Sequence, residues 1–226
     1  MRGRLIVFEG ADGAGKATQT RLLAQRFAAE GIPFHEIDFP RYGNPFAEPA
    51  RLYLHGALGN RPGDVSAYAA STLYAVDRYA SYKEDWGAIY ETGGLILANR
   101  YTTSNAVHQA AKLPEGERPA YLDWLFDLEY RRLELPEPDL VVYLDLPSEI
   151  SERLLRHREA ETGTRADIHE QDADYLCRCR ESAREIARTL GWRIVQCAGA
   201  GKLRAPEEIH REAWTLVQPV LNGKKD

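Results

Sequence analysis

Residues 4–20 read RLIVFEGADGAGKATQT, and the fold follows from how this stretch is parsed. Leu5–Phe8 is a short, uninterrupted apolar run, the pattern of a strand buried on both faces. From Thr18 to Glu30 the chain has helical spacing, with Leu22, Leu23 and Phe27 on one side and helix-stop chemistry at Gly31-Ile32-Pro33. Between the two lies Gly10-Ala11-Asp12-Gly13-Ala14-Gly15-Lys16, which fits G-x-x-x-x-G-K in its strand-to-helix context. Glycines let successive amides converge into a concave donor nest for phosphate oxygens, and the helix N-terminus adds positive potential. Lys16 then reaches the β- and γ-phosphates as a mobile point charge. The loop together with Ala17 and Thr18 is the candidate ATP-binding segment.

Further runs of this kind recur at Phe34–Phe39, Leu95–Ala98, Leu140–Leu144 and Arg193–Cys197, separated by helical patterns. Such alternation predicts an α/β fold of the P-loop NTPase kind: about five parallel strands, helices on both faces and a small lid, all in one domain over residues 1–226. Ligands are then expected beyond the carboxyl ends of the strands. Ser66–Tyr90 reads as one long helix and Ala120–Leu133 as another, Ser148 as an N-cap, and Glu159–Asp167 as an exposed mobile loop. A second Gly-x-Gly-Lys, at 199–202, has Gln196 where the first glycine belongs and fails the motif.

The chain has 226 residues, 29 basic against 34 acidic, for a formal net charge of −5. No global field recruits a nucleic acid polymer, so any anion site is local. No window nears eighteen uninterrupted apolar residues, and glycine and acids stand where a signal peptide keeps its apolar run. The expectation is a cytoplasmic protein without a membrane partner. The three cysteines are odd in number, and Cys177 and Cys179 on one helix point their sulfurs apart, which argues against a zinc or disulfide framework.

Together FEGADGAGKATQ, Phe39-Pro40, TLYAVDR at 72–78 and NRYTTSNAVHQAAKL at 99–113 resemble the thymidylate kinase family, over Leu5 to about Asp172. The resemblance implies phosphoryl transfer from ATP to dTMP with Mg2+, in dTTP biosynthesis, by a homodimer whose contact the 66–90 helix could supply. Tyr74 and Arg78 are four apart, so an aromatic plane and a cation share a helix face. By similarity Tyr74 stacks on thymine and Arg78 helps orient it. Arg100 falls just past a strand end, where a guanidinium suits an anion, and the resemblance makes it the binder of the acceptor phosphate. Asn105 corresponds to the family's thymine reader. His108 stands where an aromatic wall lies against the sugar, with a surface histidine as the competing reading. Phe39, Pro40 and Arg41 reach the same edge, Arg41 joining the acceptor clamp.

Two positions depart from expectation. Ala17 replaces the Ser or Thr hydroxyl that the motif places on magnesium, and Thr18 is turned about 100° away on a helix. Asn99 replaces the family's usual Asp before Arg100, keeping hydrogen-bonding shape and losing charge. Asp12, and Glu170 after the lid, are the acids left to approach the metal and acceptor. Arg153, Arg156, Arg158 and Arg165 lie in or beside the lid. Helical spacing favours Arg153 and Arg156 as the catalytic pair, with at least two of the four on a solvated outer face. Lys16, Arg100, Asp12, Arg153 and Arg156 form the catalytic set. Alternatives are a kinase for another nucleoside monophosphate or a deoxynucleoside, or a nucleotide-binding regulator with weakened catalysis.

Overall fold

The computed structural model describes residues 2–162, 167–199 and 201–223. Strands β1 (Arg4–Gly10), β2 (His35–Asp38), β3 (Leu95–Asn99), β4 (Leu140–Asp145) and β5 (Arg193–Gln196) form one parallel sheet in the order β2-β3-β1-β4-β5. Successive connections therefore place β3 on one side of β1 and β4 on the other. The crevice of such a sheet opens where the winding reverses, outside the carboxyl end of β1.

Side chains of β1 alternate between two buried layers. Ile6 and Phe8 pack with Leu23 and Phe27 of α1 (Lys16–Ala29) and with Ile209, Ala213, Trp214 and Val217 of α9 (Pro206–Leu221). Leu5 and Val7 face the other way, against Ile37, Phe39, Trp86, Ile96, Ala98 and Tyr101. A strand apolar at every position is what this double cover requires.

Helices α2 (Glu48–Leu54), α3 (Ala67–Ser81), α4 (Gly87–Glu91), α5 (Thr102–His108), α6 (Arg118–Phe126), α7 (Ser148–Thr162) and α8 (Ala173–Thr189) complete the sequence of elements, with a small antiparallel pair, β6 (Ala198–Gly199) and β7 (Lys202–Leu203), near the second glycine-rich segment.

Several expectations are corrected. The 66–90 segment is not one regular helix: Ser66 caps α3 by accepting from the Ala69 amide, and Tyr82–Trp86 is a π turn before α4. A second π segment, Asp127–Arg132, follows α6. Extra residues inserted per turn leave the apolar spacing legible but rotate the following face. Ser148 is the first residue of α7 rather than its cap, because the Pro147 carbonyl accepts from the Ile150 and Ser151 amides. Residues 159–162, expected in a loop, continue α7, and residues 163–166 lie outside the described part. Cys177 is exposed and Cys179 buried, as opposite helix faces demand.

Gly10 closes β1 with φ of 155°, and a Cβ there meets the Leu144 carbonyl oxygen at 2.7 Å. Backbone cannot yield as a side-chain tip can. Substituting Gly10→Ala is expected to cost about 1–3 kcal/mol through overpacking, read as a lower urea midpoint with an unchanged slope; an unchanged midpoint contradicts this packing.

Candidate phosphate-binding and transfer site

Beyond β1, Gly15 adopts a left-handed conformation (φ 87°) and caps α1, whose first residue is Lys16. Lys16 is 7% exposed, and its Nζ donates to the carbonyls of Gly10 (2.8 Å) and Ala11 (2.9 Å) and lies 3.5 Å from Asp12 Oδ1. Burial, with Arg100 adding to it against the pull of Asp12 and Glu9, pushes the lysine down to about 8. Ala14 is buried and Ala17 exposed, with Thr18 half-buried behind it.

Arg100 directly follows β3. Its amide returns to β1 by donating to Phe8 O at 3.0 Å, and its φ is 67°, a left-handed conformation that a non-glycine residue holds only when its surroundings impose it. The guanidinium is thereby aimed at the loop: Nη2 donates to Asp12 Oδ1, Nη1 lies 3.8 Å from Glu9, and Nη1 approaches His108 Nε2 at 3.5 Å. Burial on its own would raise the Asp12 pKa, but Arg100 and Lys16 overcome that and hold the carboxyl well below the usual range.

Glu9 was not singled out in the sequence, although an acid closing an apolar run is the signal. It is fully buried, accepting from the Gly10 amide (2.9 Å), Thr103 (2.8 Å) and Ser104 (2.6 Å). It ties the start of the loop to α5.

Tyr74 is half-buried, its ring edge-on to Tyr53 at 6.3 Å. Asn105, on α5, donates to Ser71 O at 3.2 Å, one helical turn from Tyr74. These two residues are brought together. Arg78 is instead committed: 2% exposed, it forms a paired contact with Glu129 (2.6 and 2.5 Å), which also accepts from Thr102 at 2.6 Å. Arg41 bonds Asp77 through its amide (2.9 Å) and Nε (2.8 Å), with Glu84 at 3.3 Å. Phe39 is buried against Tyr101, and Pro40 follows it.

His108 is not a surface histidine. It is buried, its ring stacked on His169 at 5.7 Å. Burial, with the Arg100 charge, pushes it down to about 4, so the imidazole is neutral at physiological pH. His169 in turn meets the Tyr53 hydroxyl at 2.8 Å.

Glu170 sits in the turn after α7, where Asp167 Oδ1 accepts the amides of His169 (2.8 Å) and Glu170 (2.9 Å). Burial pushes Asp167 up to about 6. Near the start of α7, Ser151 donates to the Asp12 carbonyl at 2.5 Å, seating this helix on the loop. Arg153 is exposed, and Arg156 is exposed with Glu152 at 3.6 Å. Arg165 lies outside the described residues, as does the side chain of Arg158. Among the described residues no three His, Cys, Asp or Glu side chains converge as a self-sufficient metal site, and no helix is long and apolar enough to cross a membrane.

Comparison with known proteins gives a consistent picture. A family model described as thymidylate kinase matches residues 8–209. A thymidylate kinase of Mycobacterium tuberculosis (strain CDC 1551 / Oshkosh) is 37% identical over 136 residues, covering 57% of this chain and 59% of that protein. One from Afipia carboxidovorans is 36% identical over 110 residues, covering 49% and 46%. The matched stretches thus span about half the length of these relatives. A solved thymidylate kinase from Candida albicans superposes with a TM-score of 0.69 at 22% identity, over 98% of this chain and 93% of that one, a likeness of fold.

Two outcomes are expected. Glu129→Ala strands a buried guanidinium and is expected to cost about 3–5 kcal/mol, with much of it regained in Glu129→Ala combined with Arg78→Met; chemical denaturation measures both, and a small loss in the single variant contradicts the pair's burial. Lys16 is charged below about 8 and loses its proton above it. Affinity for a non-hydrolysable ATP analogue is therefore expected to fall as pH rises past that value, with proton uptake on binding, while Lys16→Ala binds weakly and lacks this step. Calorimetry in two buffers of different ionisation enthalpy reads the uptake, and a flat profile contradicts it.

Proposed function

The chain belongs to the thymidylate kinase family, and from that premise we propose that it transfers the γ-phosphoryl group of ATP to dTMP, giving ADP and dTDP. The observation that carries this reading is Arg100: a guanidinium held in strained backbone at the end of β3 and aimed across the crevice at the phosphate-loop Asp12, which Lys16 also approaches.

The phosphate oxygen of dTMP is already a competent nucleophile, so alignment and charge neutralisation suffice. The amides of Gly10–Thr18 and the Lys16 ammonium hold the donor's phosphates. To reach them, Lys16 exchanges its bonds to the Gly10 and Ala11 carbonyls for phosphate oxygens. Arg100 leaves Asp12 to take the acceptor phosphate, with Arg41 beside it once its contact with Asp77 opens. Tyr74, Phe39 and Pro40 enclose the base and Asn105 reads its edge. Arg78 acts from behind, as the buried partner of Glu129 that sets the α3 wall. His108, neutral and backed by His169, closes the sugar side. Arg153 and Arg156 extend from the lid, about 153–170, to the group in transit and exclude water.

Magnesium fits the oxygen donors of this crevice. Asp12, once Arg100 and Lys16 turn to phosphate oxygens, and Glu170 would hold it together with substrate phosphates and water. When bound it neutralises charge developing on the phosphates. The working form is a single-domain cytoplasmic enzyme of dTTP biosynthesis. Exposed Tyr68, Val76 and Tyr79 on α3 (40%, 47% and 41% exposed) offer the surface of a homodimer.

ADP formation against dTMP, dUMP, dGMP, dAMP, dCMP and thymidine tests the assignment. dTMP is expected to have the highest kcat/KM; a purine monophosphate or thymidine ahead of it overturns the reading, and tight ATP binding without turnover on any acceptor points to a regulator. Arg100→Gly relieves the left-handed backbone while removing the cation. It is expected to keep the melting temperature and lose roughly 10²–10³-fold in kcat; retained turnover contradicts the role of Arg100.

A further inference from the structure

In the reading above Asp12 is one of the two acids offered to the nucleotide's divalent cation, yet Arg100 and Lys16 already share it, and Glu9 is saturated by an amide and two hydroxyls. Asp38 has no such commitment. It ends β2, it is exposed, and among the described residues it forms no ion pair. Its Oδ1 accepts from Asn99 Nδ2 at 2.9 Å. Asp38 and Asn99 are register partners at the last rung of the β2–β3 ladder, and the Phe39 amide closes the next bond onto Asn99 O at 3.1 Å.

The alternation of the strands decides which way this pair points. Ile37, Phe39, Ile96 and Ala98 belong to the core layer opposite α1, whereas Leu97 packs with Leu23 and Phe27 of α1. Asp38 and Asn99 therefore face the α1 side, at the carboxyl edge from which Lys16 begins its helix. Partial desolvation at the strand end raises the Asp38 pKa, against which the Asn99 hydrogen bond and the charges of Arg100 and Lys16 act. Asn99 is 9% exposed and its Oδ1 has no partner, so its amide is spent on one task, orienting the Asp38 carboxylate.

We propose that Asp38, oriented by Asn99, is a carboxylate through which this chain receives the hydrated divalent cation of the donor nucleotide. An unpaired carboxylate facing a polyphosphate repels it unless a cation lies between them, which gives the exposed charge a use only in the metal-loaded complex. Magnesium suits this arrangement because it retains several waters and takes few protein ligands. The charge that Asn99 lacks is thus carried one strand over. Asp38 and Asn99 supply a carboxylate that Ala17 does not, outside the ion pairs that engage Asp12.

The test is ADP binding by calorimetry across a magnesium titration, in the full chain and in Asp38→Asn and Asp38→Glu. Asp38→Asn keeps an acceptor for Asn99, and its melting temperature checks that it folds. It is expected to raise the half-saturating magnesium concentration on the order of fivefold, while magnesium-free ADP binds as well as or better than in the parent protein. Asp38→Glu, which keeps the charge, is expected to recover at least half of that shift. A parental magnesium dependence in Asp38→Asn overturns the proposal, as does an Asp38→Glu variant as impaired as Asp38→Asn. Parental turnover of ATP with dTMP, assayed on the same preparation, reports separately on the kinase reading, since ADP binding requires no acceptor.

Discussion

Two cations, the buried Lys16 and the partly buried Arg100, and two acids, the buried Glu9 and the partly buried Asp12, occupy the mouth of the crevice and balance one another. Charges this far from water persist only when paired and hydrogen-bonded. Every other part of the site is arranged around that constraint. Glu9 is satisfied from α5, Lys16 rests on loop carbonyls, and Arg100 is turned inward by strained backbone. An arriving phosphate is an anion that can replace Asp12 as the partner of both cations. The contacts of these two cations therefore outline those a phosphate would make, with carbonyl oxygens around Lys16 and a carboxylate oxygen at Arg100.

The sheet order is what makes this cluster possible. β1 delivers the loop, β3 delivers Arg100 on one side of it, and β4 leads to α7, whose Ser151 is bonded to the Asp12 carbonyl. On the β4 edge, Asp145 is fully buried and held by Arg180 and Arg184 of α8 at 3.0 and 3.1 Å. That anchors the helix whose Tyr175 hydroxyl bonds the His108 carbonyl at 2.6 Å. The wall of the crevice is thus supported by α8.

Much of this was legible in the residues. Apolar runs mark β1, β3 and β4 because a parallel strand buried on both faces has few polar positions to disguise it, whereas the edge strands β2 and β5 mix polar and apolar positions. The glycine spacing marks the loop because only that backbone can converge its amides. The rest depends on partners distant in sequence. Arg78 reads equally as a ligand-facing, solvated or ion-paired cation until Glu129, 51 residues away, is brought against it. Whether His108 is a wall of the site or a surface histidine is decided only when His169 stacks on it. Nothing in residues 34–39 identifies Asp38 until the β2–β3 register places it opposite Asn99. The π turns at 82–86 and 127–132 escape notice because an added residue shifts a helix face without interrupting its apolar pattern.

The central claim is that phosphate replaces the protein's own oxygens around Lys16 and Arg100. A crystal structure with dTMP and an ATP analogue tests it most directly. The account predicts Lys16 Nζ drawn away from Gly10 O, now 2.8 Å distant, onto donor phosphate oxygens, and the Arg100 guanidinium transferred from Asp12 to the acceptor phosphate. A complex with both nucleotides in place, Lys16 still on the Gly10 and Ala11 carbonyls and Arg100 still on Asp12, contradicts it.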